Sequence, residues 1–294
     1  MYSTIKNVKK KKPNLLQFSN EKYKSKLFLA HKKDHGGLRV KKKYKDNSNK
    51  KNPLITIITV VLNNDKFIEE CILSVLNQKY SNIEYIIIDG ESKDNTIQII
   101  KKYEKYLDYW VSAKDKGIYD AFNKGLELAT GNIIGFVNSD DFLTPNGLSL
   151  IISYFKKYKK ADFIFGAVKK HYAILHGYKP KKIFYSWGFY SSHSTGFYIK
   201  SESAKLIGPY NTKYKYSADY DYFYRMIVHH KQIGYGTKKS ELVGVFRRGG
   251  YSSTISFKDH FKEEIKIRLD NKQNRIIVLI IALLKFLKNF KKFI

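Results

Sequence analysis

From Leu54 to Leu62 the chain reads Leu-Ile-Thr-Ile-Ile-Thr-Val-Val-Leu, apolar or β-branched at every position, and then turns polar at Asn63-Asn64-Asp65. Such an unbroken run predicts a strand buried on both faces, as in the interior of a parallel sheet. Phe67, Ile68, Cys71, Ile72, Val75 and Leu76 follow at helical spacing, with Asp65 placed to cap that helix. The alternation repeats. Strands are predicted over 84–88, 109–112, from Ile133 towards Asp140, and over 162–168; helices are predicted over 96–105 (capped by Asp94), 118–129 and 147–158. Strands and helices in turn, joined by short loops, predict an α/β chain with a mostly parallel central sheet and helices on both faces. Right-handed crossovers then bring the strand ends at Asn63, Asp89 and Asp140 to one rim, where open α/β sheets bind their ligands.

Beyond Val168 the pattern loosens into a stretch rich in Tyr and Lys up to Ser192. A loop at His193-Ser194-Thr195 enters a strand near Phe197, a helix starts near Ser217, and a strand over 242–246 runs into Arg247-Arg248-Gly249-Gly250, a basic turn. Two helices finish the chain. These changes divide it into a basic, flexible tail (1–52), an α/β domain with halves at 53–168 and 169–255, and C-terminal helices (256–294).

Charge sharpens that division. The chain has 55 Lys+Arg against 26 Asp+Glu, a formal net charge of +29, and residues 1–52 hold 17 Lys+Arg against 3 Asp+Glu. A basic tail of this kind meets nucleic acid, anionic lipid or water, and charge alone does not choose. The single Cys71 excludes an intrachain disulfide and fits a reducing, cytoplasmic compartment. Neither a secretory leader nor a membrane span is expected, since the longest apolar run, 276–284, is about half of the roughly 20 residues a span requires. In the last segment Lys285, Lys288 and Lys292 form one face against Phe286, Leu287, Phe290 and Phe293. Two outcomes stay open: the lysines facing anionic headgroups in a membrane interface, or the helix docked on the core with its basic face in water.

The candidate chemistry is carboxylate chemistry. Asn138-Ser139-Asp140-Asp141 ends a buried strand in two adjacent acids, which repel unless a cation with oxygen ligands sits between them. An Asp-rich turn leading to the helix beyond Pro145 accounts for the same residues. Gly234-Tyr235-Gly236-Thr237-Lys238 lacks the spacing of a phosphate-binding glycine motif. His171, His176, His229 and His230 show no metal-ligand spacing.

Four segments, in order, resemble glycosyltransferase family 2 over about residues 53–253. Residues 57–63 with Ile88-Asp89-Gly90-Glu91-Ser92-Lys93-Asp94-Asn95-Thr96 resemble its nucleotide-binding start. Asp115-Lys116-Gly117-Ile118-Tyr119-Asp120-Ala121-Phe122-Asn123-Lys124-Gly125 resembles a variant found in O-antigen, capsule and exopolysaccharide enzymes. Asn138-Ser139-Asp140-Asp141 resembles the DXD metal motif, and Ala218-Asp219-Tyr220-Asp221 the segment carrying the base. The resemblance implies a GT-A fold and inverting transfer of a sugar from a UDP-, GDP- or dTDP-sugar to a glycan, lipid-linked or protein acceptor, at the cytoplasmic membrane face. It implies nucleotide contacts from Thr59, Val61, Asn63, Asp89, Asp115 and Asn138, and Mn²⁺ or Mg²⁺ held by Asp140 and Asp141. Asp219 would be the base. His193, Asp221, Arg247 and Arg248 would serve the acceptor or close a loop over the diphosphate. Two departures stand out: Asn138 replaces the first Asp of the metal motif, and Phe122 stands where Arg is frequent. Two competing readings are a nucleic-acid-binding protein using its basic tails, which leaves the carboxylates at three strand ends without a purpose, and a relative that binds nucleotide sugar without transferring it.

Overall fold

The computed structural model of the chain describes residues 15–17, 34–185, 194–247 and 255–290. Its strands, in chain order, are β1 (Leu15–Gln17), β2 (His35–Gly36), β3 (Lys43–Lys45), β4 (Ile55–Val61), β5 (Ile83–Asp89), β6 (Tyr109–Ser112), β7 (Ile133–Phe136), β8 (Phe142–Leu143), β9 (Phe163–Phe165), β10 (Ala167–Lys170), β11 (Ala173–Leu175), β12 (Phe197–Lys200), β13 (Gly234–Gly236) and β14 (Leu242–Phe246). An eight-stranded sheet has the order β13-β9-β12-β7-β4-β5-β6-β2. Strands β7, β4, β5 and β6 are mutually parallel, while β12 and β2 run against their neighbours. A four-stranded sheet has the order β11-β10-β14-β8.

The register explains where a site forms. Val61 pairs with Asp89 and Asp89 with Ser112, so three parallel strands end in line. Side chains alternate between two cores, as a period of two requires. Ile86 and Ile88 enter one with Ile58 and Val60; Tyr85 and Ile87 enter the other with Ile55 and Ile57. Helices α1 (Ile68–Leu76), α2 (Thr96–Tyr103) and α4 (Gly147–Lys157) cover the second core, and α3 (Ile118–Leu128) and α6 (Ala218–Tyr224) cover the first. The remaining helices are α5 (Ser201–Ile207), α7 (Phe257–Asp270) and α8 (Arg275–Lys288).

Two local expectations are corrected. Residues 162–168 are not one strand. At Gly166 the chain leaves the large sheet for the small one, and a Cβ there would lie 2.6 Å from Val243. Asp65 does not cap α1, whose first turn has no side-chain cap; it faces Asn95 instead, while Asp94 accepts the Thr96 N–H at 3.0 Å.

The basic tail is shorter than charge suggests, because residues 34–45 are built into the domain. β2 extends the sheet along β6, and Arg39 is buried in an ion pair with Glu84 while donating to the Leu128 carbonyl at 2.8 Å. Burial would raise the Glu84 carboxyl, but Arg39, Thr130 and Thr56 together hold it below the usual range. Lys45 donates to the Ile83 carbonyl at 2.6 Å and lies 3.3 Å from buried Asp108. Arg39→Ala would strand the Glu84 charge in the interior, and a loss of about 3–5 kcal/mol is expected in urea unfolding. A loss below about 1 kcal/mol, the size of a surface pair, would show that the segment is not integral.

Candidate functional site

Between the β4 and β7 strand ends, α3, α6 and the C-terminal helices lies a cavity of about 800 Å³. Val61, Asn63 and Asn64 come from the end of β4, and Asn138, Ser139 and Asp140 from the turn after β7. Asp115, Tyr119 and Phe122 come from the start of α3, and Asp219 from α6. Among the candidate site residues, the structure thus brings together Val61, Asn63, Asp115, Asn138, Asp140 and Asp219.

The two adjacent acids are used differently. Asp140 borders the cavity, and burial raises its carboxyl above the usual carboxylate range. Asp141 is turned inward, so its expected role as a metal ligand is corrected. It accepts hydrogen bonds from the Thr195 hydroxyl at 2.6 Å, the Arg247 backbone N–H at 3.1 Å and the Asn138 amide at 3.3 Å. Burial and its charged neighbour Asp140 push it upward. Asn138 also donates to Ser194 at 3.0 Å, which leaves its Oδ1 buried without a hydrogen-bond partner. Oxygen from one carboxylate and one orphaned amide, beside room for phosphate oxygens, suits a hard cation such as Mg²⁺ or Mn²⁺. Among the described residues no cluster of three or more acids, histidines or cysteines forms a cage by itself.

Asp219 sits in the first turn of α6. Its Oδ1 accepts the Tyr220 N–H at 2.9 Å and meets the Tyr119 hydroxyl at 3.2 Å, while Oδ2 accepts nothing among the described residues. Burial raises this carboxyl to about 6, partly offset by those two donors and by its own backbone N–H. The segment entering α6 is held from α7, where Glu263 accepts the N–H groups of Lys215, Tyr216 and Ser217. Asp221, two residues on, faces away as helical geometry demands. It pairs with Arg225 at 2.9 Å and accepts from Asn271 at 2.8 Å, so its expected acceptor role is corrected to a packing one.

At the end of β5, Asp89 is fully buried and is not among the residues that line the cavity. Its Oδ2 accepts from the Ser112 hydroxyl at 2.6 Å and the Ser92 N–H at 3.0 Å, while Oδ1 has no hydrogen-bond partner. Gly90 allows Asp115 to approach, because a Cβ there would lie 2.6 Å from its Oδ2. Asn63 turns the chain at φ 50° and accepts the Lys93 N–H at 2.7 Å. Thr59, expected to contribute through its backbone, is not among the residues lining the cavity, and its side chain lies 3.1 Å from the Tyr85 hydroxyl.

Arg247 is also corrected. Rather than waiting on a closing loop, its guanidinium is spent on Glu70, on the Asp140 carbonyl at 3.0 Å and on the face of Phe67 at 4.4 Å. His193 and Arg248 lie outside the described residues. Sequence reasoning missed Tyr119, although it stands inside a motif already singled out. It also missed His260, Glu264 and Lys285, which line the cavity from α7 and α8. Lys285 points inward to Glu264, and only its place inside an apolar run hinted at this.

Comparisons with known proteins agree with this architecture. The fold is GT-A. S. aureus TarS 1-349 in complex with UDP-GlcNAc superimposes with a TM-score of 0.57 at 16% identity, over 74% of this chain and 66% of that one. The mannosyltransferase PcManGT from Pyrobaculum calidifontis, in complex with GDP-Man and Mn²⁺, gives 0.57 at 16% identity, over 76% and 65%. The Glycosyl transferase family 2 profile matches residues 56–223. The chain therefore belongs to glycosyltransferase family 2 and is a glycosyltransferase. It is 36% identical to Escherichia coli chondroitin synthase over 123 residues, 40% of this chain but only 18% of that protein. It is 26% identical to a PGL/p-HBAD biosynthesis glycosyltransferase of Mycobacterium bovis over 219 residues, 71% of this chain and 83% of that one.

Because the Tyr119 hydroxyl steadies the charged form of Asp219, Tyr119→Phe is expected to move the Asp219 titration up from about 6 by about one pH unit or less. Carboxyl NMR of the labelled protein reads this directly, and an unmoved titration would show that the contact carries no electrostatic weight.

Proposed function

We propose that the chain is an inverting, divalent-metal-dependent transferase. It moves a sugar from a nucleoside diphosphate donor to an alcohol on a glycan, lipid-linked or protein acceptor during surface polysaccharide or glycoconjugate synthesis at the cytoplasmic membrane face. The observation that carries this reading is Asp219, a carboxylate raised to about 6 with one oxygen that accepts nothing among the described residues, on the same cavity as Asp140 and Asn138. A base of that pKa is charged at neutral pH yet basic enough to take a proton as it is released.

The donor's base would give an N–H to the orphaned Oδ1 of Asp89, and its edge would lie along the backbone near Val61. Asp115 and Asn63 would contact the nucleoside. Lys170, which also borders the cavity, offers positive charge to the phosphates. Asp140 and Asn138 Oδ1 would hold the cation, which when bound neutralises charge on the leaving diphosphate. The acceptor hydroxyl passes its proton to Asp219 Oδ2. Its oxygen then bonds to the anomeric carbon on the face opposite the diphosphate, and the bond from that carbon to the diphosphate oxygen breaks. The neighbours with UDP-GlcNAc and with GDP-Man and Mn²⁺ support this class of donor.

The test is consumption of a panel of UDP-, GDP- and dTDP-sugars by purified protein with Mn²⁺ or Mg²⁺. Asp219→Asn is expected to lower turnover by about 10²–10⁴-fold, the usual worth of a positioned base. Asp140→Asn should raise the metal concentration needed for half-maximal rate. Since Asp219 must be deprotonated to act, kcat/KM should fall about tenfold per pH unit below about 6 and level off above it. Wild-type rates in both variants would remove the mechanism.

A further inference from the structure

Helix α8 has two unlike faces. Val278, Ile281 and Lys285 turn inward, and Lys285 reaches the cavity beside Glu264. At 100° per residue the opposite side carries Ile276, Leu279, Ile280, Leu283 and Leu287, and these are exposed, Ile276 by 70%, Leu279 by 68% and Leu287 by 61%. The expected lysine face is corrected at Lys285, which is buried; Lys288 is exposed as expected, and Lys292 lies outside the described residues. Water is a poor partner for a contiguous stripe of this kind. The helix, 14 residues or about 21 Å long, is too short to cross a bilayer, and no described helix is long and apolar enough to do so.

Charge decides between a membrane surface and a second copy. Residues 257–294 hold 10 Lys+Arg against 4 Asp+Glu, and the chain as a whole carries +29. Two such molecules facing each other through α8 would repel, whereas an anionic lipid surface attracts both the stripe and the charges around it. Lys272 and Arg275, both exposed, stand at the turn before α8. Phe184 is held against the same turn, its carbonyl accepting from Arg268 at 2.8 Å and Gln273 at 2.6 Å, and it and Tyr185 are exposed. Aromatic rings with basic neighbours are what a headgroup region accommodates.

We infer that α8 lies flat in the interface of an anionic membrane through Ile276, Leu279, Ile280, Leu283 and Leu287, with its reverse face walling the cavity. The docking stands on the helix alone. Its consequence, that an acceptor carried on a lipid enters from the membrane side, rests on the transferase reading.

The test is flotation of the full chain with vesicles of phosphatidylglycerol and phosphatidylcholine in equal parts, against phosphatidylcholine alone, with no donor present. The wild type should float with the mixed vesicles and much less with the neutral ones. Leu279→Glu/Leu283→Glu/Leu287→Glu, at exposed positions, should lose at least about tenfold in vesicle affinity while keeping its thermal melt and its donor turnover. Flotation undiminished in the triple variant would overturn the inference and assign binding to the N-terminal lysines. No flotation, with a sedimenting dimer that the triple variant dissolves, would overturn it in favour of a second copy. A chain that floats but consumes no donor leaves the docking standing and removes only the transferase reading.

Discussion

One buried carboxylate holds the seam on which the cavity depends. Asp141 lies where the large and small sheets meet, and its oxygens take hydrogen bonds from the turn after β7, from Thr195 ahead of β12 and from the backbone beyond β14. A carboxylate out of water is costly unless its lone pairs are filled, so these three segments converge on it. Its neighbour Asp140 is thereby left facing the cavity. Adjacent acids of similar chemistry are sorted by the packing around them into a buried brace and a residue that borders the cavity.

The same economy recurs at α6. Asp219 and Asp221 are two residues apart, and a helix cannot turn both to one side. The inward one is absorbed by Arg225 and Asn271; the other meets the cavity, and its confinement raises its affinity for a proton. Tyr119 from α3 and Glu263 from α7 hold the start of that helix from two directions. Asp219 is therefore positioned by elements about a hundred residues before it and about forty after it.

The C-terminal helices are part of the site rather than an appendage. Glu264 lies between Arg268 and Lys285 and fixes α8 against α7. With Lys285 drawn inward, the apolar residues of α8 face outward. The N-terminal Arg39 is held by the same logic at the far side of the sheet, where a basic residue from a polar stretch completes a buried acid. In both places charge read as surface charge is structural.

Local pattern determined most of the scaffold. Unbroken β-branched runs specify β4 and β5, helical spacing specifies α1 and α3, and polar residues at the strand ends mark the rim, because periodicity and strand termination are properties of neighbouring residues. The family motifs carried Asp89, Asp115, Asp140 and Asp219 as well. Tertiary structure alone decided which of Asp140 and Asp141 meets the cavity, that Arg247 is held by Glu70 and the Asp140 carbonyl, that residues 34–45 join the fold and that Lys285 points inward. Each of those outcomes turns on a partner far away in the chain, and the burial of a charge is settled by that partner rather than by the residues beside it.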